Sequence, residues 1–437
     1  MRTFFIYLCI VCAVASAWGA APLYAAETRK SDEARLIGWI ERAARGDEAG
    51  QVDEAGRVDK MGAVDEVGLI DEATLIDPVG QNHNKGRIPE VERQIKKVVH
   101  AQSKAVNRGD WEKFAAHLLA EDDMYVQERR RWFADAVATI DSGTFALTVE
   151  SIAPYKPDIL QVRLRQTYKR NGVAHVLEQP VMYVQTKDGW KDADVQFYTK
   201  SGERATVKYT DKSLVEQATV ALNVAEKALM AFQERLEWQI EQHVQIKLYH
   251  QREAFRQSVK LSLPHWVAGW NESGQAIKFI GAVAPNETFA SGIVHELTHQ
   301  LLSEETRDNA AYWMQEGLAE YYQHHLLPGL RTRENMSLKK PRWTFAEMER
   351  LNLEQLSARE AAAYYAHCYD LLRYYIQTFG EQKLNAWCAA LKMYPEIDAA
   401  SVDKRSELNA RTRAAFEQVT KHSFQSFVAD WYRRAQE

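Results

Sequence analysis

The chain has 437 residues, of which 46% are hydrophobic, enough for two or three domains with packed cores. Its formal net charge of −5 at pH 7 gives no electrostatic basis for nucleic-acid binding, so a nucleic-acid partner is not expected. The classes that remain are enzymes and proteins that bind other molecules.

The N-terminus has the pattern of a bacterial-type export signal. A short charged region at 1–3 precedes an apolar run at 4–17, and small residues follow at 19–21. We therefore predict a signal peptide over 1–26 and an extracytoplasmic location, either secreted or in the cell envelope. The apolar run is short for a membrane span, which favours cleavage over an uncleaved anchor. An uncleaved N-terminal segment would be the expected membrane contact.

Residues 27–88 are predicted to be a helical stretch followed by a linker. Residues 31–45 have helical periodicity, and an acidic hexapeptide repeat follows at 48–77, with units such as EAGQVD and EVGLID. A period of six also occurs in β-helices, but these units would make fewer than two coils, too few to bury a core. Gly, Asp and Glu dominate the repeat, which favours a flexible spacer.

Residues 89–209 are predicted to form an α+β accessory domain, with helices first and strands after them. The predicted helices cover 91–108, 111–119 and 128–138, and the strands 144–152, 159–170, 174–187 and 190–199. This order resembles the nuclear-transport-factor-2-like (SnoaL-like) α+β cone. Such a domain would hold a small ligand, bind a partner or shield a catalytic cleft. Trp132, Tyr168 and Trp190 are expected to be core and edge residues of this domain rather than residues of a binding site.

Residues 210–437 are predicted to form a mostly helical domain with a small sheet, so the fold class of the chain is α+β. The domain opens with a long helix over 213–239, and strands are predicted over 244–249 and 275–280. Trp266 and Trp270 lie between these strands and would be cleft walls or core residues. Structural helices are predicted near the C-terminus, at 382–393 and 410–437.

An HExxH pattern lies in this domain, in the segment Val294-His295-Glu296-Leu297-Thr298-His299. Residues four apart share a helical face, so His295 and His299 can bind one metal ion. Glu296 lies at the adjacent edge, where it can take a proton from metal-bound water. Apolar neighbours indicate that the helix is buried, and buried imidazoles need partners that a metal would supply.

The segment WMQEGLAEYY, residues 313–322, is predicted to be a return helix that brings a third metal ligand. A hydrolytic zinc site normally has three protein ligands and one position for water. Glu316 and Glu320 lie one turn apart, and either carboxylate would serve as the ligand while the other supports a histidine ring. The favoured assignment is Glu316 as ligand and Glu320 as the acceptor of a histidine N–H. Gly317 would let the two helices approach closely.

VHELTHQ followed by WMQEGLAEYY resembles the gluzincin (HExxH...E) zinc metallopeptidases, most closely the peptidase MA-like family. The resemblance covers residues 210–380 and implies that His295, His299 and Glu316 bind zinc, with Glu296 as the catalytic base. It also implies that the strand before the motif helix pairs with extended substrate, so that residues 270–280 line the cleft. No exopeptidase-type GAMEN-like segment precedes the motif, which favours an endopeptidase.

The aromatic run at 361–369 is a candidate source of one further hydrogen-bond donor. A zinc peptidase usually stabilises the tetrahedral oxyanion with a Tyr or His, and the family resemblance implies a tyrosine near this point. Tyr365 is the favoured donor, with Tyr364 and His367 as alternatives. An aromatic helix face packed in the core would also account for the run. A second metal site at 321–325 is not expected.

Two cysteines, Cys368 and Cys388, remain once the predicted signal peptide is removed. They flank Gly380, the predicted turn between antiparallel helices, so that a disulfide and two buried thiols are both possible. Neither is expected to be catalytic.

Together these patterns predict an exported Zn2+-dependent peptidase that hydrolyses peptide or protein substrates. Glu296 is the expected general base on a metal-activated water and the later acid for the leaving amine. The alternative is a non-catalytic zinc-containing binding or sensor protein, but the complete set of base and ligands favours the enzyme. Metal removal is expected to lower the melting temperature of residues 210–437, while residues 89–199 melt unchanged.

Overall fold

The structure, a computed structural model, describes residues 7–9, 87–240, 242–281, 286–330, 342–397 and 403–434. The predicted helical stretch at 31–45, the hexapeptide repeat and most of the predicted signal peptide lie outside the described residues. The described chain combines many helices with two small sheets, which confirms the α+β class. Not one of its described helices has the length and apolarity that a membrane span requires.

The helices and strands are numbered here in chain order. The strands are β1 (Tyr7–Cys9), β2 (Ala146–Lys156), β3 (Ile159–Arg170), β4 (Val173–Thr186), β5 (Gly189–Val195), β6 (Tyr198–Ser201), β7 (Ala205–Tyr209), β8 (Val244–Tyr249), β9 (Gly269–Asn271) and β10 (Ile277–Ile280). The helices are α1 (Arg87–Arg108), α2 (Trp111–Ala115), α3 (Asp123–Thr139), α4 (Val215–Leu236), α5 (Arg252–Val259), α6 (Asn286–Thr306), α7 (Tyr312–His325), α8 (Phe345–Met348), α9 (Ala358–Phe379), α10 (Glu381–Lys392), α11 (Lys404–Thr420) and α12 (Phe424–Arg434).

The first sheet is an antiparallel meander in the order β2-β3-β4-β5, with α1 to α3 preceding it in the chain. The β3–β4 hairpin turns at Asn171 and Gly172, whose φ angles of 52° and 76° match the two-residue turn that suits the twist of a hairpin. Ile95 of α1 packs on Val162 and Tyr183 of the sheet, because alternate residues of the strands face the helix. The expected burial of Trp132, Tyr168 and Trp190 is confirmed.

The predicted strand over 190–199 is wrong, because the chain changes sheets within it. β5 ends at Val195, next to Asp194 with its left-handed φ of 75°. β6 then pairs with β7, which was not predicted, and β7 pairs in parallel with β8. Residues 198–209 therefore lie in the second sheet, and the domain boundary after 209 stays a prediction.

The second sheet has the order β1-β9-β10-β8-β7-β6. β7, β8 and β10 are parallel, whereas β9 is antiparallel to β10 and β1 is antiparallel to β9. The long helix α4 buries small residues, among them Ala221, Ala225 and Ala228, in the same core as β7 and β8. Small side chains let a helix lie close to its neighbours, and α4 also contacts the HExxH helix α6.

The predicted C-terminal helix over 410–437 is also wrong, since the chain forms two helices there. Lys421 ends α11 in the left-handed conformation with a φ of 61°, and α12 begins at Phe424. This break turns Phe424, Phe427 and Trp431 back into the main core, where all three are buried. The helix α5 was not predicted.

Candidate metal centre

Helix α6 supplies both histidines and the carboxylate of the HExxH motif. Ile293, Val294 and Leu297 of this helix are fully buried, as are His295, Glu296 and His299 themselves. His295 Nε2 lies 3.1 Å from His299 Nε2, so the two rings converge on one point. The i, i+4 spacing produces this convergence, as the sequence predicts.

Helix α7 brings Glu316 to the same point. Glu316 Oε2 lies 3.4 Å from His295 Nε2 and 3.4 Å from His299 Nε2. Glu316 is buried with only 1% of its surface exposed. One imidazole nitrogen from each histidine and one carboxylate oxygen therefore form a compact triangle of ligand atoms.

The triangle fits a tetrahedral zinc ion. Zinc bonds N and O ligands at about 2.0–2.2 Å, so two ligand atoms of a tetrahedral site lie about 3.3 Å apart. The three separations here are 3.1, 3.4 and 3.4 Å. Among the residues that the structure describes, His295, His299 and Glu316 are the group of His, Cys, Asp or Glu side chains with metal-binding spacing.

Burial also sets the protonation state that a metal requires. It lowers the pKa of His295 to about 4, although the neighbouring Glu316 acts in the opposite direction. Burial lowers the pKa of His299 to about 3. Both imidazoles are therefore neutral at pH 7 and carry a lone pair for a metal ion.

Glu320 contacts the other nitrogen of His295. Its Oε1 lies 3.5 Å from His295 Nδ1, and its Oε2 lies 3.9 Å from His324 Nε2. This geometry favours Glu316 over Glu320 as the ligand, because only the Glu316 carboxylate faces the Nε2 atoms. His325, which ends the same helix, has its Nε2 3.0 Å from the Tyr369 hydroxyl.

Gly317 lets α7 and α9 pack closely beside this site. A methyl group at Gly317 would lie 2.5 Å from the backbone oxygen of Cys368 in α9, well inside contact distance. On α9, the ring of Tyr365 lies 6.1 Å from the ring of His295. Burial and the nearby Cys368 and Glu316 raise the pKa of the Tyr364 hydroxyl, so Tyr364 also lies close to the ligands, whereas His367 Nε2 accepts a hydrogen bond from the backbone N–H of Arg342.

Strand β9 lies directly against the Glu296 carboxylate. A methyl group at Gly269 would be 2.8 Å from both Glu296 Oε1 and the Phe279 ring, so a larger residue here would displace the carboxylate or the ring. Asn271 Nδ2 donates a 2.8 Å hydrogen bond to the backbone oxygen of Glu296. Sequence reasoning missed Gly269 and Asn271, although a glycine next to a tryptophan in a short strand is a signal of close backbone approach.

The two tryptophans proposed as cleft walls or core residues differ in burial. Trp270 is fully buried in the main core, whereas Trp266 is half-buried and donates from Nε1 to the Leu356 carbonyl.

The Cys368 and Cys388 thiols are buried and not bonded to each other, so the disulfide alternative is wrong. Burial raises the pKa of both thiols, which leaves them protonated and unreactive.

Residues 224–402 match the family model of the peptidase MA superfamily. The match begins in α4 and extends beyond α10, so that it includes the HExxH helix, the return helix and the Tyr365 helix. It confirms the resemblance based on the two motifs. The SnoaL-like resemblance of the N-terminal part is not confirmed. No curated protein matches the chain.

Proposed function

We propose that this chain, whose residues 224–402 match the family model of the peptidase MA superfamily, is an exported zinc-dependent endopeptidase. The match to this family model supports a peptidase-type function. The observation that carries zinc dependence is the buried triangle of His295, His299 and Glu316, with ligand atoms 3.1–3.4 Å apart. Two neutral imidazoles and one carboxylate are the donor set of many zinc hydrolases.

A zinc ion held by these three side chains would supply an activated water and polarise the scissile carbonyl. The Glu296 carboxylate, buried beside Gly269, accepts the proton of the attacking water and returns it to the leaving amine. Glu320, whose Oε1 lies 3.5 Å from His295 Nδ1, is the proposed acceptor of the Nδ1 proton, which would keep the lone pair on Nε2. The Tyr365 hydroxyl is the proposed donor to the oxyanion.

The proposed substrate is an extended peptide that pairs with β9. The outer edge of β9 accepts an antiparallel strand, because Tyr7–Cys9 pairs there in register with residues 269–271. Main-chain pairing of this kind binds a peptide with little regard to its sequence. Since β9 also contacts Glu296, a peptide held at that edge would lie beside the catalytic base.

The Glu296→Gln variant tests the mechanism. It keeps the size of the side chain but removes the base, and we expect hydrolysis of a denatured protein to fall by at least roughly 100-fold with full zinc content. Glu305→Gln is the matched control, since Glu305 is on the same helix and pairs with Lys392 away from the ligands. Chelation should abolish wild-type hydrolysis.

Equal hydrolysis by wild type and Glu296→Gln would refute the proposed mechanism. A zinc-loaded wild type that cleaves no peptide in a broad library would instead favour the binding or sensor alternative. Export is tested separately: the N-terminal sequence of the protein recovered outside the cytoplasm should begin near residue 27, and an intact residue 1 would contradict cleavage.

A further inference from the structure

A buried ion pair joins the N-terminal region to the strand that faces Glu296. Arg131 of α3 pairs through Nη1 with Glu272, the residue directly after β9. Both side chains are buried, with 9% and 0% of their surfaces exposed. Glu272 also accepts a hydrogen bond of 3.4 Å from the indole nitrogen of Trp270, inside β9. Arg131 thus contacts β9 at two points: it pairs with Glu272, directly after the strand, and it lies beside Trp270, the middle residue of the strand.

Cations hold the Trp270 ring in place. The Arg131 guanidinium carbon lies 5.0 Å from the ring centroid, and Lys260 Nζ lies 5.3 Å from it. Both distances are in the range of favourable cation–π contacts, which are strengthened by exclusion of water. The ring has no exposed surface. Trp270, the middle residue of β9, is therefore held in place in part by Arg131 of α3.

The flanking residues of β9 act on Glu296. Gly269 leaves room for its carboxylate, and Asn271 binds its backbone oxygen. A displacement of β9 would therefore displace the proposed base or fill its space. A continuous set of direct contacts runs from Arg131 through Glu272 and β9 to Glu296.

A second buried group on α3 prevents the helix from moving independently of the sheet. Glu128, one turn before Arg131, lies 2.7 Å from Lys247 Nζ on β8 and 3.3 Å from Lys278 Nζ on β10. Its Oε1 also accepts a hydrogen bond from the backbone N–H of Ala276, in the turn between β9 and β10. Glu128 thus fixes α3 on the sheet, and Arg131 fixes β9 relative to α3.

We infer that Arg131 is a positioning residue that sets the place of β9 relative to Glu296, so that α3 of the N-terminal region forms part of the peptidase site. A buried ion pair adds little net stability compared with apolar packing, but in some proteins it specifies geometry, which is the role inferred here for Arg131 and Glu272. The inference rests on the proposed function for its kinetic consequence, whereas the placement of β9 can be measured without activity.

The test compares Arg131→Met with Arg130→Met, a substitution at the adjacent exposed arginine of the same helix. We expect Arg131→Met to keep stoichiometric zinc. The backbone amides of 269–276 should exchange at least about 10-fold faster than in wild type. The kcat/KM should fall by roughly 10- to 100-fold, mainly through kcat. Arg131→Lys should restore part of both, and Arg130→Met should resemble wild type.

Unchanged amide exchange at 269–276 in a folded Arg131→Met protein would overturn the inference, as would wild-type kcat/KM per bound zinc. If Arg131→Met does not fold, Glu272→Gln replaces it, because the amide preserves the shape and an acceptor oxygen. Glu272→Gln should change exchange and kinetics in the same direction, and wild-type values would again overturn the inference. If the wild type cleaves no peptide, the proposed function fails while amide exchange still decides the role of Arg131.

Discussion

Glu316 and Glu320 lie on one face of α7, and each contacts a different nitrogen of His295. Glu316 Oε2 is 3.4 Å from Nε2, and Glu320 Oε1 is 3.5 Å from Nδ1. A metal bound at Nε2 leaves the Nδ1 proton for an acceptor, so one carboxylate suits the metal and the other suits the ring proton. Truncating the two glutamates to alanine is therefore expected to weaken zinc binding to different degrees.

We expect Glu316→Ala to lose stoichiometric zinc and Glu320→Ala to retain it with an affinity weaker by about 10- to 100-fold. Removing a ligand leaves two protein donors, whereas removing the acceptor only loosens the orientation of His295. Metal analysis after dialysis against a graded series of zinc buffers measures both affinities. Retention of zinc by Glu316→Ala together with its loss from Glu320→Ala would show that the ligand assignment is inverted.

The buried histidines predict an acid-sensitive metal-free protein. Burial lowers the pKa of His295 to about 4 and of His299 to about 3, from an ordinary value of 6.5. The unfolded chain therefore binds more protons than the folded one below about pH 6.5, so this contribution to stability is complete above that pH and is lost as the pH falls toward 3. The melting temperature of the metal-free protein should fall over this window.

A double variant, His295→Gln with His299→Gln, should show a shallower fall in melting temperature between pH 6.5 and 4. His243→Gln is the control, because His243 is exposed and lies away from the site. Equal slopes for the double variant and wild type would contradict the assignment of acid sensitivity to these two histidines.

At the residue scale, the sequence predicted which side chains converge, and it favoured Glu316 over Glu320 as the ligand without excluding the reverse assignment. His295, Glu296 and His299 follow from helical spacing alone. The choice between Glu316 and Glu320 depends on how far α7 is rotated about its axis, and that rotation depends on packing against helices such as α9 that are distant in the chain. The contacts of Gly269 and Asn271 with Glu296 join parts of the chain more than twenty residues apart, and a glycine in a short strand signals a close approach without identifying the partner.

At the element scale, local sequence patterns gave good bounds for two strands, one with a single buried face and one buried on both faces. β3 and β8 have the predicted limits of 159–170 and 244–249. The errors at 190–199 and 410–437 share a cause: a non-glycine residue in the left-handed region, Asp194 or Lys421, redirects the chain. Sequence patterns favour glycine at such positions, so these two breaks carried no local signal.

The contact between α7 and α9 gives a prediction at this scale. Gly317→Ala would place a methyl group 2.5 Å from the Cys368 backbone oxygen, which cannot move without shifting α9. Alanine is better than glycine inside a helix by about 1 kcal/mol, and overpacking costs about 1–3 kcal/mol or more, so we expect a net loss of stability. Because Gly317 follows Glu316 directly, a shift of α7 would also move this carboxylate relative to the two histidines of α6, so zinc affinity should fall too.

Urea unfolding and zinc titration of Gly317→Ala measure these two effects. Leu372→Ala in the same background is an informative control, since it removes the neighbouring side chain while the Cys368 carbonyl stays. That second change should not restore zinc affinity. A Gly317→Ala protein more stable than wild type, with normal zinc affinity, would show that the helices separate at little cost.

At the scale of the whole molecule, buried polar contacts connect the N-terminal region with the zinc-binding region. Lys247 Nζ lies 2.7 Å from both Glu128 and Asp194, and Trp132 donates to Gln257 of α5. Partners more than fifty residues apart in the chain form these contacts, so periodicity could not indicate them. They argue against the expected independent melting of residues 89–199, because separating the two regions would expose or isolate buried charges.

We therefore expect metal removal to lower a single melting transition that includes both regions. Zinc at about 1,000 times its dissociation constant stabilises the folded state by about 4 kcal/mol, which corresponds to a fall of at least about 5 °C on chelation. Calorimetry should show one transition with and without chelator. Amide exchange should show that protection around Ile95 in α1 and around Leu297 in α6 falls together. If one region unfolded alone, the ion pairs of Lys247 and Arg131 would break and leave charges buried without partners. Two transitions, with only the one that contains α6 responding to chelator, would mean that the buried charges do not couple the two regions.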